Sequence, residues 1–150
     1  ILARVTPYFK NLRKEITKSP ICYFYDLGFR NHALGMFGDL PDDKGFVFQN
    51  FVYRKLLEEL EESGSSAKIN FWRTRYGSEV DFIIDLGGEQ IPIEVKYKKF
   101  KACEVNTSFR NFLALYKPKR AIMLNLNFSG RIKIDNTLVE FLPFYKKVLL

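Results

Sequence analysis

Apolar residues recur at two distinct periods along this chain. Over residues 42–62, Phe46, Tyr53, Leu56, Leu57 and Leu60 return every three to four positions, which predicts one long amphipathic helix. Asp42 and Asp43 suit the positive end of its dipole, and Glu58, Glu59, Glu61 and Glu62 read as its solvated end. Ser63-Gly64-Ser65-Ser66 stops it. Residues 106–116 predict a second helix, ended near Pro118. Between the two, residues 69–75, 79–86 and 90–97 predict three strands, the last pair joined through Gly87-Gly88. Residues 120–126 predict a fourth strand and 131–134 a short fifth, while 138–150 form an apolar tail of undecided type. Upstream, 21–25 read as a short buried strand, Asp26 as a cap, and 27–36 as loose helical turns.

Helix, three-strand meander, helix, strand is an α/β order, expected to give a mixed β-sheet flanked by helices. The step from 90–97 through 106–116 to 120–126 predicts a parallel crossover. Residues 1–20 carry Arg4, Lys10, Arg13, Lys14 and Lys18 against Glu15, between Pro7 and Pro20. They read as an exposed leader or the end of a preceding domain, helical in the middle, with one domain over 21–150. The chain opens on Ile and reads as a piece of a longer protein.

Composition narrows the class. The 150 residues are 47% hydrophobic and 27% charged, as in globular domains and unlike disordered chains. No apolar run approaches the ~20 residues of a membrane helix, and no signal peptide is visible, so no membrane partner and a cytoplasmic location are expected. Cys22 and Cys103 lie far apart with no Cys/His cluster, which argues against zinc; one disulfide is open to them, and a reduced chain is preferred. The lone His32 reads as a surface residue.

Strand alternation brings chemistry into this frame. Glu79, Asp81, Ile83 and Asp85 share one face of their strand, with Val80, Phe82 and Ile84 on the other. In the next strand Pro92, Glu94 and Lys96 share a face, opposite Ile91, Ile93, Val95 and Tyr97. Pairing through Gly87-Gly88 sets Asp81 beside Glu94 and Lys96. Two carboxylates held together are costly unless compensated, and a divalent cation compensates them. Carboxylate oxygens suit Mg²⁺ or Mn²⁺, and a nearby lysine stabilises charge developing on a phosphoryl group. Alternatively, the strand pair is half exposed and Glu94–Lys96 is a surface contact. Glu79 reads as a solvated strand end rather than a further ligand.

The net charge is +7. Residues 94–120 concentrate it, with an excess of six positive charges, and Arg73 and Arg75 lie one strand over. Arg73, Arg75, Lys98, Lys99 and Lys101 are the candidate contacts to nucleic-acid phosphates, although solubilising lysines are an equal reading. No base-reading motif is present.

Asp81 followed by Glu94-Val95-Lys96 resembles the PD-(D/E)XK phosphodiesterase signature of the restriction-endonuclease-like fold. The resemblance implies that Asp81 and Glu94 bind Mg²⁺ (or Mn²⁺) and that Lys96 assists hydrolysis. It also implies a Glu on the first core helix, where this chain has Gln49. More of the chain is similar to one group: residues 23–31, 45–52, 71–75 and 77–82 look like the C-terminal domain of undefined function on archaeal and bacterial AAA-type ATPases. That similarity implies an ATPase domain upstream in the same chain as a partner. With no P-loop pattern, no nucleotide site is expected in these 150 residues. The resulting expectation is Mg²⁺-dependent phosphodiester hydrolysis on DNA by Asp81, Glu94 and Lys96, with Gln49 in support. The alternative is a degenerate module that binds nucleic acid or protein and regulates the ATPase.

Overall fold

The structure, a computed structural model, describes residues 2–9, 19–38 and 43–149. The chain starts with β1 (Leu2–Val5), which pairs antiparallel with β2 (Ile21–Phe24) in a small two-stranded sheet. Helix α1 (Leu27–Ala33) follows, with Asp26 accepting from the Phe29 N–H at 2.7 Å as its N-cap. It stops short of the expected 27–36 because Gly35 turns left-handed at φ 64°. Helix α2 (Lys44–Glu62) is the long amphipathic helix. Asp42 lies outside the described residues. Asp43 makes no side-chain cap; its carboxylate pairs instead with the buried Arg30 of α1.

The main sheet contains β3 (Lys68–Arg73), β4 (Glu79–Asp85), β5 (Gln90–Val95), β6 (Arg120–Asn125), β7 (Gly130–Ile134) and β8 (Thr137–Pro143). Their order is β3-β4-β5-β6-β8-β7. The meander β3-β4-β5 is antiparallel, and β6 joins β5 in parallel after α3 (Thr107–Tyr116), as the crossover pattern predicts. The undecided tail resolves into β8, parallel to β6, and a segment that returns over α2. This is the expected mixed α/β layer arrangement.

Each helix covers one face. Val52, Tyr53, Leu56 and Leu60 of α2 pack with Phe82, Ile84, Ile91, Ile93 and Val95. Phe109, Phe112 and Leu113 of α3 pack with Trp72, Ile83, Met123 and Phe141. A sheet apolar on both faces is what a βαβ crossover requires.

Two expectations need correction. The exposed leader is, over residues 2–8, part of the packed structure: Ala3, Val5 and Tyr8 are buried, and Tyr8 N–H donates to the Phe71 carbonyl at 2.6 Å along the β3 edge. The helix expected in the middle of that leader lies outside the described residues. Glu59 is also not solvated. It pairs with Lys55 at 2.8 Å and accepts from Val148 and Leu149 N–H, both at 2.9 Å, tying the C-terminal segment to α2.

Burial acts to raise the Glu59 carboxyl, but the hydrogen bonds from Lys55, Leu149 and Val148 outweigh it and hold it below the ordinary range. A depressed carboxylate stabilises the fold above its unfolded value of 4.5, and that contribution is lost as pH falls through the folded value. Glu59→Gln is expected to cost about 1–3 kcal/mol at neutral pH in urea unfolding, since it removes hydrogen bonds to a charged acceptor. The difference from wild type should shrink once the pH falls below the folded value.

Candidate active site

The site is built where β4 leaves its ideal register. Asn70 pairs with Ile83 but Trp72 pairs with Val80, so two residues of β4, Asp81 and Phe82, stand opposite Phe71. This is a β-bulge, which re-aims side chains. The alternation expected for residues 79–85 is therefore corrected. Val80 packs with Ile83 on the α3 side, while Phe82 and Ile84 pack on the α2 side. Ile83 is fully buried rather than on a polar face.

The β4–β5 ladder runs from Asp85–Gln90 to Phe82–Ile93 and no further. Lys96 N–H donates to Leu124 of β6, so by alternation the Val95 N–H points at β4. Asp81 Oδ2 accepts it at 2.7 Å, in place of a backbone carbonyl. The other oxygen, Oδ1, accepts from Gln49 Nε2 at 2.9 Å. Gln49 thus reaches Asp81 from α2, as the helical stripe suggested.

Glu94 is buried on β5, with only 3% of its surface exposed. Its Oε1 accepts from Lys96 Nζ at 2.6 Å and from Asn106 Nδ2 at 2.8 Å. Its Oε2 is buried and has no hydrogen-bond partner among the described residues. Sequence reasoning missed Asn106, the N-cap of α3, whose Oδ1 accepts from Phe109 N–H at 2.8 Å while its amide holds Glu94. Its place as the first residue of the helix predicted over 106–116, where Asn is favoured as an N-cap, was the available signal.

The electrostatics link these groups. Burial first, and then the Glu94 charge, push the Asp81 carboxyl up to about 7, with the Val95 N–H and Lys96 opposing. Burial acts to lower the Lys96 ammonium, but Glu94 outweighs it and holds Lys96 above its ordinary value. Tyr23, stacked against Phe46 and Tyr53, has a buried hydroxyl without a partner among the described residues; burial and the Asp81 charge raise it, so it stays protonated.

A cavity of about 160 Å³ opens beside Asp81 and Gln49, lined also by Arg73 and Glu79. Glu94 and Lys96 do not line it. Glu79 is exposed and paired with Arg73 at 2.8 Å, in keeping with a solvated strand end. Arg75, Lys98, Lys99 and Lys101 are all exposed, with Lys98 3.4 Å from Glu104. His32 is exposed and edge-on to Phe37, and both cysteines are free thiols. Among the described residues, no group of three or more His, Cys, Asp or Glu is placed to hold a metal, and no helix is long and apolar enough to cross a membrane.

An unfolded Asp81 releases its proton near 3.8, and the folded one near 7. The folded chain binds more protons between those values, so its stability falls as pH rises through that window. Asp81→Asn keeps an acceptor for Val95 and is expected to abolish the fall. Thermal denaturation across the window, with chelator present, checks this. Parallel curves for the two proteins would count against the electrostatic picture.

Known proteins place the chain. Residues 44–145 match the model of the family described as "Domain of unknown function (DUF4143)". Two curated mycobacterial relatives, uncharacterized protein Rv2008c of Mycobacterium tuberculosis and uncharacterized protein Mb2031c of Mycobacterium bovis, are each 28% identical over 100 residues. The match takes in 64% of this chain and 22% of either relative, so the chain spans about a fifth of their length. Among solved structures, a chain of the half-complex of Thermococcus gammatolerans McrB AAA+ hexamers with bound McrC aligns with TM-score 0.48 and 14% identity, over 67% of this chain and 28% of that one. The family model covers more than half of the sequence and includes Gln49, Asp81, Glu94 and Lys96, and the chain belongs to the DUF4143 family.

Proposed function

We propose that this domain hydrolyses phosphodiester bonds in DNA, with Mg²⁺ or Mn²⁺ held by Asp81 and Glu94. The observation that carries this reading is Glu94. Its carboxylate is buried and one oxygen has no partner among the described residues, a costly arrangement that a cation would relieve. Mg²⁺ commonly takes one or two carboxylates and fills its other positions with water and phosphate oxygens, so the two anions here fit it. The PD-(D/E)XK resemblance supports the same assignment.

When bound, such a cation polarises the phosphoryl group and offsets its negative charge. The protein's own residues do the rest. Lys96 stays protonated beside Glu94, which suits it to stabilise charge on the phosphoryl oxygens and not to act as a base. Gln49 and the Val95 N–H fix both oxygens of Asp81, so its orientation is set before substrate arrives. Asn106 does the same for Glu94. Lys98, Lys99, Lys101 and Arg75 lie exposed to meet backbone phosphates, as does Arg73, which is paired with Glu79. We further infer that the domain works in the cytoplasm beside an ATPase domain of the same longer chain, on the strength of the family resemblance.

Gln49 favours a second reading. Its amide donates to Asp81 and adds no negative charge, so a degenerate module that binds nucleic acid or protein and regulates the ATPase is the competing function.

Cleavage of plasmid and single-stranded DNA with Mg²⁺ or Mn²⁺ separates the two. Asp81→Ala and Glu94→Ala are expected to abolish cutting. Lys96→Ala should leave metal affinity within a few-fold and slow hydrolysis by about 10²–10³, as removal of one charge-stabilising group does. Gln49→Glu should tighten metal binding. If neither wild type nor Gln49→Glu cuts, and the latter binds metal no better, the regulatory module is the function. Separately, changing Lys98, Lys99 and Lys101 to Ala should reduce the salt slope of DNA binding by about two to three, near 0.9 for each phosphate that is no longer neutralised.

A further inference from the structure

The outer face of α2 carries an aromatic track that the cleavage chemistry does not use. Two grooves, of about 450 and 480 Å³, lie side by side and share Leu27 and Phe51 as their common wall. One ends at Tyr97, the other at Tyr25 and Tyr145. Phe48 and Phe144 form the floor: Phe48 meets Tyr97 edge-on at 5.5 Å, Phe51 packs edge-on to Phe144 at 6.0 Å, and Phe144 to Tyr145 at 5.6 Å. The strongly exposed apolar side chains of this track are all rings: Tyr25 40%, Phe51 41%, Tyr97 52% and Tyr145 65%.

We propose that this track binds single-stranded nucleic acid, with unpaired bases stacked on Tyr97, Phe51 and Tyr145. The proposal rests on the nucleic-acid reading of the site and names the form of substrate it takes. Three features select this occupant. Exposed rings offer flat π-faces to bases of any sequence, and aromatic rings interleaved with cations are how sequence-tolerant single-strand sites are made. The cations are in place: Lys44 lines the first groove, Arg54 and Lys55 line the second beside Glu58, and Tyr145 precedes Lys146 and Lys147, within a chain of net charge +7. The track is also continuous with the site. Phe48 and Gln49 are successive residues of α2; the ring of Phe48 touches Tyr97 and the amide of Gln49 reaches Asp81. A duplex keeps its bases stacked inside and cannot use these rings, so the track discriminates strand form and leaves sequence unread.

The test is fluorescence anisotropy of the chain with a labelled oligothymidine of about 15 nucleotides, against a duplex of equal length, at fixed salt. Wild type is expected to bind the single strand more tightly. Tyr97→Ala and Tyr145→Ala should each weaken single-strand binding by about five- to a hundred-fold, the worth of one stacked base, and leave duplex binding within two-fold. Tyr97→Phe should keep wild-type affinity, because the ring is retained. A wild type that binds both forms equally, with Ala variants unchanged, overturns the aromatic track and leaves the nucleic-acid reading standing. Binding of neither form overturns both. Ala variants that keep their DNA affinity but alter self-association in sedimentation would assign the grooves to a protein surface and also overturn the proposal.

Discussion

One backbone N–H sets the terms for the centre of this fold. Val95 points its donor at a neighbouring strand whose ladder has already ended, because the bulge at Asp81–Phe82 shifts β4 by one residue. A buried donor left unpaired costs roughly as much as a strong hydrogen bond is worth, so a side chain has to reach in. Asp81 does so, which places a carboxylate inside the sheet, next to Glu94. The rest of the local structure answers that placement. Gln49 comes from α2, Asn106 from the start of α3, and Lys96 from the end of β5.

The two helices divide this work. One presents an amide to Asp81 and the other an amide to Glu94, so each acid is oriented from a different side of the sheet. Among the described residues, Lys96 is the cation in direct contact with the pair, through Glu94. Two buried acids and one ammonium leave the cluster short of positive charge. A proton on Asp81 or a bound cation makes up the difference, and the two compete for the same oxygen atoms.

Much of this was legible in the sequence. Period 3.6 over 42–62 and strand-length runs bounded by glycine turns sufficed for the layer order, and the Asp81…Glu94-Val95-Lys96 spacing named the charged cluster. What was not legible depended on contacts distant in sequence. Glu59 reads as one of four acids on a solvated end, until residues 148–149 fold back and need acceptors. Ala3 and Val5 flank Arg4 and alternate with period two, but their strand is defined by pairing with β2. The bulge has no local sign at all. Strict alternation places Val80 with Phe82, and only the register against β3 separates them.

Asp81 therefore has two employers, the backbone of β5 and whatever chemistry the cluster performs. A member of the family with no chemistry at this cluster would still be held to an acceptor at this position by the fold alone, so an aspartate here says little about whether that member is an enzyme. Position 49 has no such tether. Among the described residues its side chain hydrogen-bonds to Asp81 alone, so a change there leaves the sheet intact, and the choice between an acid and an amide at that point is the cleaner record of what each domain has been asked to do.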